Sequence, residues 1–255
     1  MRFIDTHSHL YDEAFASEED AAVERAVSAG VDRIILPDID SQSRDSMFSL
    51  ADRHPEALFP CLGLHPTSIG ADWEAEMEKM QDYFSRKIVA IGEIGIDCYW
   101  SKDFLDQQKE AFIQQLHIAH EKNLPVIIHS RESTGIILDI LNSHKHLNLR
   151  GVFHAFSGSE ETAKQLQQTG DWYIGIGGVL TFRKASIAES VRRIPLERII
   201  LETDSPYLTP VPFRGKRNES SYVPFIAERL AQILEKDIEE IAETTTANAE
   251  KLFNI

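Results

Sequence analysis

The chain is poor in cysteine and in positive charge, and it has no long apolar run. Cys61 and Cys98 are the only cysteines in 255 residues, too few for a disulfide framework. No stretch of about 18 apolar residues occurs, so no membrane-spanning helix is expected. The start, Met1-Arg2-Phe3-Ile4-Asp5, lacks the apolar segment of a secretory leader. These absences together predict a cytoplasmic protein without membrane contact. Lys and Arg number 26 against 41 Asp and Glu, a formal net charge of −15. Such a balance excludes a protein that coats duplex DNA by neutralising many phosphates. It leaves room for an enzyme that takes one strand end into a cleft lined by divalent cations, which reverse the local field. No Gly-x-Gly-x-x-Gly follows the first apolar run, which weakens a dinucleotide-binding open sheet. The glycine-rich Gly175-Ile176-Gly177-Gly178 lies late and reads as a tight turn after a seventh strand.

What the chain does have is a histidine pair, Asp5-Thr6-His7-Ser8-His9, closing its first apolar run. Alternate side chains of a strand share a face, so both imidazoles point the same way. Imidazole is the commonest protein metal ligand and is neutral near pH 7. Seven further strand-like runs follow the first at 3–9: residues 33–37, 58–64, 88–94, 125–130, 151–156, 172–176 and 198–204. Most are continuously apolar, the pattern of strands covered on both faces. Helical patterns separate them at 17–29, 104–122, 133–144, 159–168 and 186–193, and two closing helices occupy 223–234 and 238–253. Ser17 and Asp20 stand in capping-box spacing at the first helix. Eight strand–helix repeats in this length predict a single (β/α)8 TIM barrel over residues 1–255. A doubly wound sheet is the architectural alternative.

Barrel enzymes place catalytic groups at the C-terminal ends of their strands. His7, His9, Glu93, His129, His154 and Asp204 all close such runs, so scatter in sequence becomes convergence in space. Four imidazoles and two carboxylates exceed one tetrahedral ion and suit two. The expected division gives His7, His9 and Asp204 to one metal and His129 and His154 to the other, with Glu93 bridging. Asp204 is the expected general base, because a carboxylate beside an attacking water can take its proton. The donor set suits zinc, manganese or iron, and magnesium where carboxylates and substrate phosphate dominate.

The motifs themselves resemble a known family. They are Phe3-Ile4-Asp5-Thr6-His7-Ser8-His9-Leu10, Gly63-Leu64-His65-Pro66, Ala90-Ile91-Gly92-Glu93-Ile94-Gly95-Ile96-Asp97 and Leu124-Pro125-Val126-Ile127-Ile128-His129-Ser130-Arg131. They continue with His154-Ala155-Phe156-Ser157-Gly158, Leu201-Glu202-Thr203-Asp204-Ser205-Pro206-Tyr207-Leu208 and Arg214-Gly215-Lys216-Arg217-Asn218-Glu219. In this order, across the whole chain, they resemble the TatD-type metal-dependent nucleases of the amidohydrolase superfamily. The resemblance implies a barrel, divalent metals and hydrolysis of DNA phosphodiesters, often as a 3′→5′ exonuclease. It places the metal positions on the same six residues. It also suggests that His65 contacts substrate or protonates the leaving group. The chain departs from the family pattern at Ser8, where cysteine is common, at Ser205 for alanine, at Ser220 for proline, and at Cys98 for an aromatic residue beside the mouth of the site.

Several further residues fit this chemistry. Glu202 precedes Asp204 by two and points into the same interior, as a proton relay or a partner of the ligands. Asp5 has an orienting or a purely structural role. Arg131, Arg183 and the Arg214–Arg217 stretch are the cations placed to meet a phosphate backbone, and Tyr99 and Trp100 to stack on an unpaired base. The expected substrate is single-stranded or frayed DNA, and nothing marks an obligate protein partner. A carbonyl hydrolase using the same site on an amide, ester, lactone or aminoacyl-tRNA is the rival enzyme, and a non-catalytic barrel scaffold the rival outside enzymology.

Overall fold

The computed structural model describes residues 1–255. Its parallel strands are β1 (Phe3–Asp5), β2 (Val31–Leu36), β3 (Leu58–Pro60), β4 (Ile91–Asp97), β5 (Val126–Arg131), β6 (Arg150–Phe153), β7 (Asp171–Ile176) and β8 (Ile199–Leu201). The ladders run in order β1-β2-β3 and β4-β5-β6-β7-β8. Single parallel bridges, Leu62 with Ile91 and Ser8 with Ser205, join the two sheets at both seams. The eight strands therefore close into the barrel that the sequence predicts. Helices α1 (Glu19–Ser28), α2 (Arg44–Arg53), α3 (Trp73–Lys79), α4 (Leu105–Lys122), α5 (Thr134–Ser143), α6 (Glu160–Gln167), α7 (Ile187–Val191), α8 (Val223–Leu234) and α9 (Ile238–Phe253) follow in chain order. No helix is long and apolar enough to cross a membrane.

The barrel interior is divided along its axis. At the floor, Ile4, Ile35, Phe59, Val89, Ala90, Ile127, Val152, Tyr173 and Ile200 pack with Ala249, Leu252 and Phe253 of α9, so the last helix plugs the N-terminal end. A larger apolar cluster fills the space between strands and outer helices. Alternation then puts polar residues above the floor on the same face: His129 and Arg131 above Ile127, His154 above Val152, and Glu202 and Asp204 above Ile200.

Some local expectations change. β4 runs from Ile91 to Asp97, not 88–94, and its ladder to β5 is irregular between Ile91 and Ile94. Glu93 therefore sits inside the strand rather than at its end, and Val89 and Ala90 belong to the apolar floor. The proposed capping box fails. α1 starts at Glu19 with Glu18 at its N-cap and no side-chain cap, and Ser17 holds a φ of 68°. Helices α2 and α3 lie in segments without a predicted helix, although Met47, Phe48 and Ala51, and Trp73 and Met77, have helical spacing on a buried face. Gly175 and Ile176 finish β7, and the tight turn begins at Gly177.

Candidate active site

Glu93 is the centre of the barrel top and is 2 % exposed. Its two oxygens face different partners. Oε2 lies 3.1 Å from Nε2 of His7 and 3.7 Å from Nε2 of His9. Oε1 lies 2.8 Å from Nδ1 of His129 and 2.8 Å from Nε2 of His154. The Nε2 atoms of His7 and His9 are 3.2 Å apart, and Oδ1 of Asp204 is 3.6 and 3.8 Å from them. All six residues singled out by sequence thus meet in one cluster. The donor atoms of His7, His9 and Asp204 lie close enough together to hold one ion, as do those of His65, Glu93 and His129.

The surroundings fix which nitrogen of several rings faces the cluster. The Tyr11 hydroxyl donates to the Pro37 carbonyl, so toward His9 it accepts, and Nδ1–H of His9 donates to it over 2.9 Å. The lone pair of His9 is then on Nε2, pointing at the cluster. The Nε2 of His129 faces Oδ2 of Asp97 at 2.9 Å and leaves Nδ1 inward. His65 differs. Its Nδ1 accepts from the Thr67 amide at 3.1 Å, which places the proton on Nε2, 3.3 Å from Oε1 of Glu93. That arrangement suits a hydrogen-bond donor better than a ligand.

Burial and charge tune these groups in opposite directions. Burial holds His7 well below the usual imidazole range and brings His9 down to about 4, so both are neutral and available to a metal. Burial also disfavours the cationic form of His154, but the carboxylates of Glu93 and Glu202 outweigh it and raise that imidazole well above its usual range. For Glu93, burial pushes upward, while His154, His65 and His7 together hold the carboxyl well below the usual value. Burial lifts Asp204 to about 7, although the imidazolium of His154 opposes it.

On the side of the rings turned away from Glu93, Nδ1 of His7, Nδ1 of His154 and Oε2 of Glu202 are buried without partners, and these three residues form a third group of donors close enough together to hold an ion. Unpaired buried polar groups are costly, and imidazoles and carboxylates converging on one point are the donors that divalent cations satisfy. The residues present therefore fit a metal centre. Glu202 is 3.7 Å from Nδ1 of His154 through Oε1, which also accepts from the Ala155 amide. Gly175 makes this possible, since a Cβ there would lie 2.3 Å from Oε2 of Glu202.

The other sequence candidates divide. Asp5 accepts from the His7 and Thr203 amides at 3.2 and 2.9 Å and from the Thr203 hydroxyl at 2.6 Å, so it ties the ends of β1 and β8 together rather than touching an imidazole ring. Arg131, Arg183 and Arg214 are all exposed, with Arg214 stacked 3.9 Å from the Phe182 ring. Arg217 is committed elsewhere, paired with Glu18 at 2.6 Å and bonded to the Ala14 carbonyl, and drops out of the basic stretch. Cys98 is 5 % exposed and points into the apolar core, not into the mouth.

Two contributions escaped the sequence. Asp97 holds His129, and a fully buried ion pair, Arg44 with Asp38 at 2.7 Å, braces the segment beneath Glu93. The Asp38 amide donates to the Gly92 carbonyl and its carbonyl accepts from the Glu93 amide, while its carboxylate accepts from the Gly63 amide. The sequence signal for Asp97 was its even spacing from Glu93 within β4, and both carboxylates reach His129.

A closed parallel barrel with imidazoles and carboxylates converging at the C-terminal ends of its strands defines a metal-dependent hydrolase of the TIM-barrel class. The comparisons agree. Residues 4–254 match the family described as TatD related DNase. The uncharacterized metal-dependent hydrolase YabD of Bacillus subtilis (strain 168) is 38% identical over 98% of both chains. YjjV of Escherichia coli (strain K12), also named an uncharacterized metal-dependent hydrolase, is 34% identical over 100% of this chain and 98% of its own. The crystal structure of YjjV, a TatD homolog, superimposes with a TM-score of 0.90 and 31% identity, covering 100% of this chain and 98% of that one. The chain belongs to the TatD family of metal-dependent hydrolases.

Proposed function

We propose that this protein is a two-metal deoxyribonuclease that removes nucleotides from the 3′ end of single-stranded or frayed DNA. The observation that carries the reading is the division of Glu93, one oxygen toward His7 and His9 and the other toward His129 and His154. That division matches a carboxylate shared by two ions, with Asp204 completing the His7 and His9 side. A pair of divalent ions, magnesium, manganese or zinc, would supply a water of lowered pKa and compensate charge on the phosphoryl oxygens.

The chain's own groups do the rest. Asp204, 16 % exposed and near the mouth, accepts the proton of the attacking water. His65, with Nε2–H directed inward, donates to the departing oxygen or to a phosphate oxygen. Glu202 holds His154 and the Ala155 amide in place. Arg131, Arg183 and Arg214 supply exposed positive charge around the mouth for the phosphate backbone. The family description of TatD related DNase supports phosphodiesters over other substrates.

The test follows 5′-labelled single-stranded DNA, with a free or a blocked 3′ end, after metal is stripped and magnesium, manganese or zinc restored. The reading expects stepwise shortening that needs both a metal and a free 3′ end. Absence of cleavage with every metal, in protein that binds two ions, overturns it in favour of carbonyl hydrolysis. Ester, lactone and aminoacyl substrates would then be assayed.

A further inference from the structure

Beyond the barrel rim, β4 delivers a turn whose side chains serve neither the core nor the metal cluster. Tyr99 and Trp100 are 50 % and 70 % exposed, with rings edge to face 5.1 Å apart. The guanidinium of Arg131 lies 3.7 Å from the Tyr99 ring and 5.4 Å from that of Trp100. Two adjacent exposed aromatics set at right angles, with a cation on the Tyr99 face, form an open aromatic corner that carries positive charge. Such a surface is poor as a structural anchor, since it buries little, and well suited to a π-face joined to an anion.

This surface is held rigidly to the site. Oδ1 of Asp97 accepts from the amides of Tyr99 and Trp100 at 2.9 and 3.2 Å, while Oδ2 faces Nε2 of His129. Arg131 stands two residues beyond His129 on β5, about 6.6 Å further along the strand, and pairs in register with Asp97. One carboxylate thus positions both the imidazole and the aromatic turn.

We propose that Tyr99, Trp100 and Arg131 form a stacking subsite for an unpaired base of a DNA strand whose adjoining phosphate enters the cluster. This rests on the nucleolytic reading and explains a requirement for single-stranded or frayed ends: base faces are free to stack only when unpaired, and stacking tolerates any base. Arg131 contributes twice, by its plane to the base and by its N–H groups to the phosphate.

Intrinsic fluorescence reads the subsite directly. Of the three tryptophans, Trp73 and Trp172 are 5 % and 0 % exposed, so Trp100 dominates any change caused by a ligand at the rim. Metal-loaded protein is titrated with a short single-stranded oligonucleotide closed by a 3′ phosphorothioate. Quenching is expected for the single strand and not for a blunt duplex, and Tyr99→Leu and Arg131→Ala should weaken it roughly 5- to 150-fold. In cleavage assays Trp100→Leu should raise KM by a similar factor with little change in kcat. The difference should vanish on a strand whose terminal nucleotide lacks its base. Wild-type cleavage with no quenching and an unchanged KM in Trp100→Leu overturns the subsite and leaves the nuclease standing. Failure of the wild type to cleave any DNA overturns the nuclease, and quenching that Arg131→Ala weakens would still uphold the subsite.

Discussion

Oδ2 of Asp97 lies 2.9 Å from Nε2 of His129, and this contact decides that Nδ1 of that ring faces Glu93. A carboxylate behind a metal-binding imidazole fixes its tautomer and raises its basicity, and losing one costs about 10- to 100-fold in metal affinity or activity. Asp97→Asn should therefore weaken metal binding by that order while the circular dichroism spectrum stays unchanged. A direct metal titration of the variant checks it, and wild-type affinity would remove Asp97 from the site's machinery.

Asp204→Asn should fold and bind substrate but lose about 10²- to 10⁴-fold in kcat, the usual contribution of a general base. The backbone at this position has a φ of 59°, a conformation that asparagine tolerates as well as aspartate, so the change removes the carboxylate, as base and as metal donor, without disturbing the backbone. Steady-state kinetics beside a thermal melt would show it. Near-normal turnover would assign the proton to another group.

Metal binding should release protons near neutral pH. His154 is raised well above its usual range by Glu93 and Glu202 against the effect of burial, and so carries a proton in the metal-free protein at pH 7. A metal taking that nitrogen must expel the proton, so apparent affinity climbs with pH, up to tenfold per unit per proton, until the raised value is passed. Asp204, lifted to about 7, gives up a further part of a proton, while His9, at about 4, contributes no such dependence at neutral pH. Calorimetric titrations in buffers of different ionisation enthalpy count the protons. An observed heat that is independent of buffer would contradict the assignment.

Ser8, Ser205 and Ser220, three of the positions where the chain departs from the family pattern, meet in space. The hydroxyls of Ser8 and Ser205 are 2.6 Å apart and Ser220 donates to Ser8 over 3.3 Å, all fully buried behind the histidine pair. Removing one hydroxyl orphans its neighbours. Ser8→Ala should cost about 1–3 kcal/mol in urea unfolding, and Ser8→Ala with Ser205→Ala less than the sum of the single changes. Strict additivity would mean the three serines act independently.

The barrel was legible because parallel strands covered on both faces write themselves as apolar runs at regular intervals, and the six cluster residues because histidines and carboxylates interrupt those runs. β4 was misplaced for a related reason: Val89 and Ala90 are apolar because they fill the barrel floor, and hydropathy alone does not separate floor from strand. Asp97 shares a strand with Glu93, but its hold on His129 shows only in the fold, as a side-chain contact made while the ladder sets it opposite Arg131. Arg44 and Asp38 drew no reading from the sequence, yet both are fully buried, since only the folded chain shows that each neutralises the other. The mouth of the site was the least legible part. Arg217 is spent on Glu18 and Cys98 turns inward, both decided by packing distant in sequence.

The account turns on Glu93 holding two ions at once. Elemental analysis of protein equilibrated with manganese or zinc, wild type beside Glu93→Gln, measures this most directly. Two ions per wild-type chain and one or fewer in Glu93→Gln are predicted. One ion in the wild type, or two retained in the variant, would contradict the shared carboxylate and the two-metal chemistry built on it.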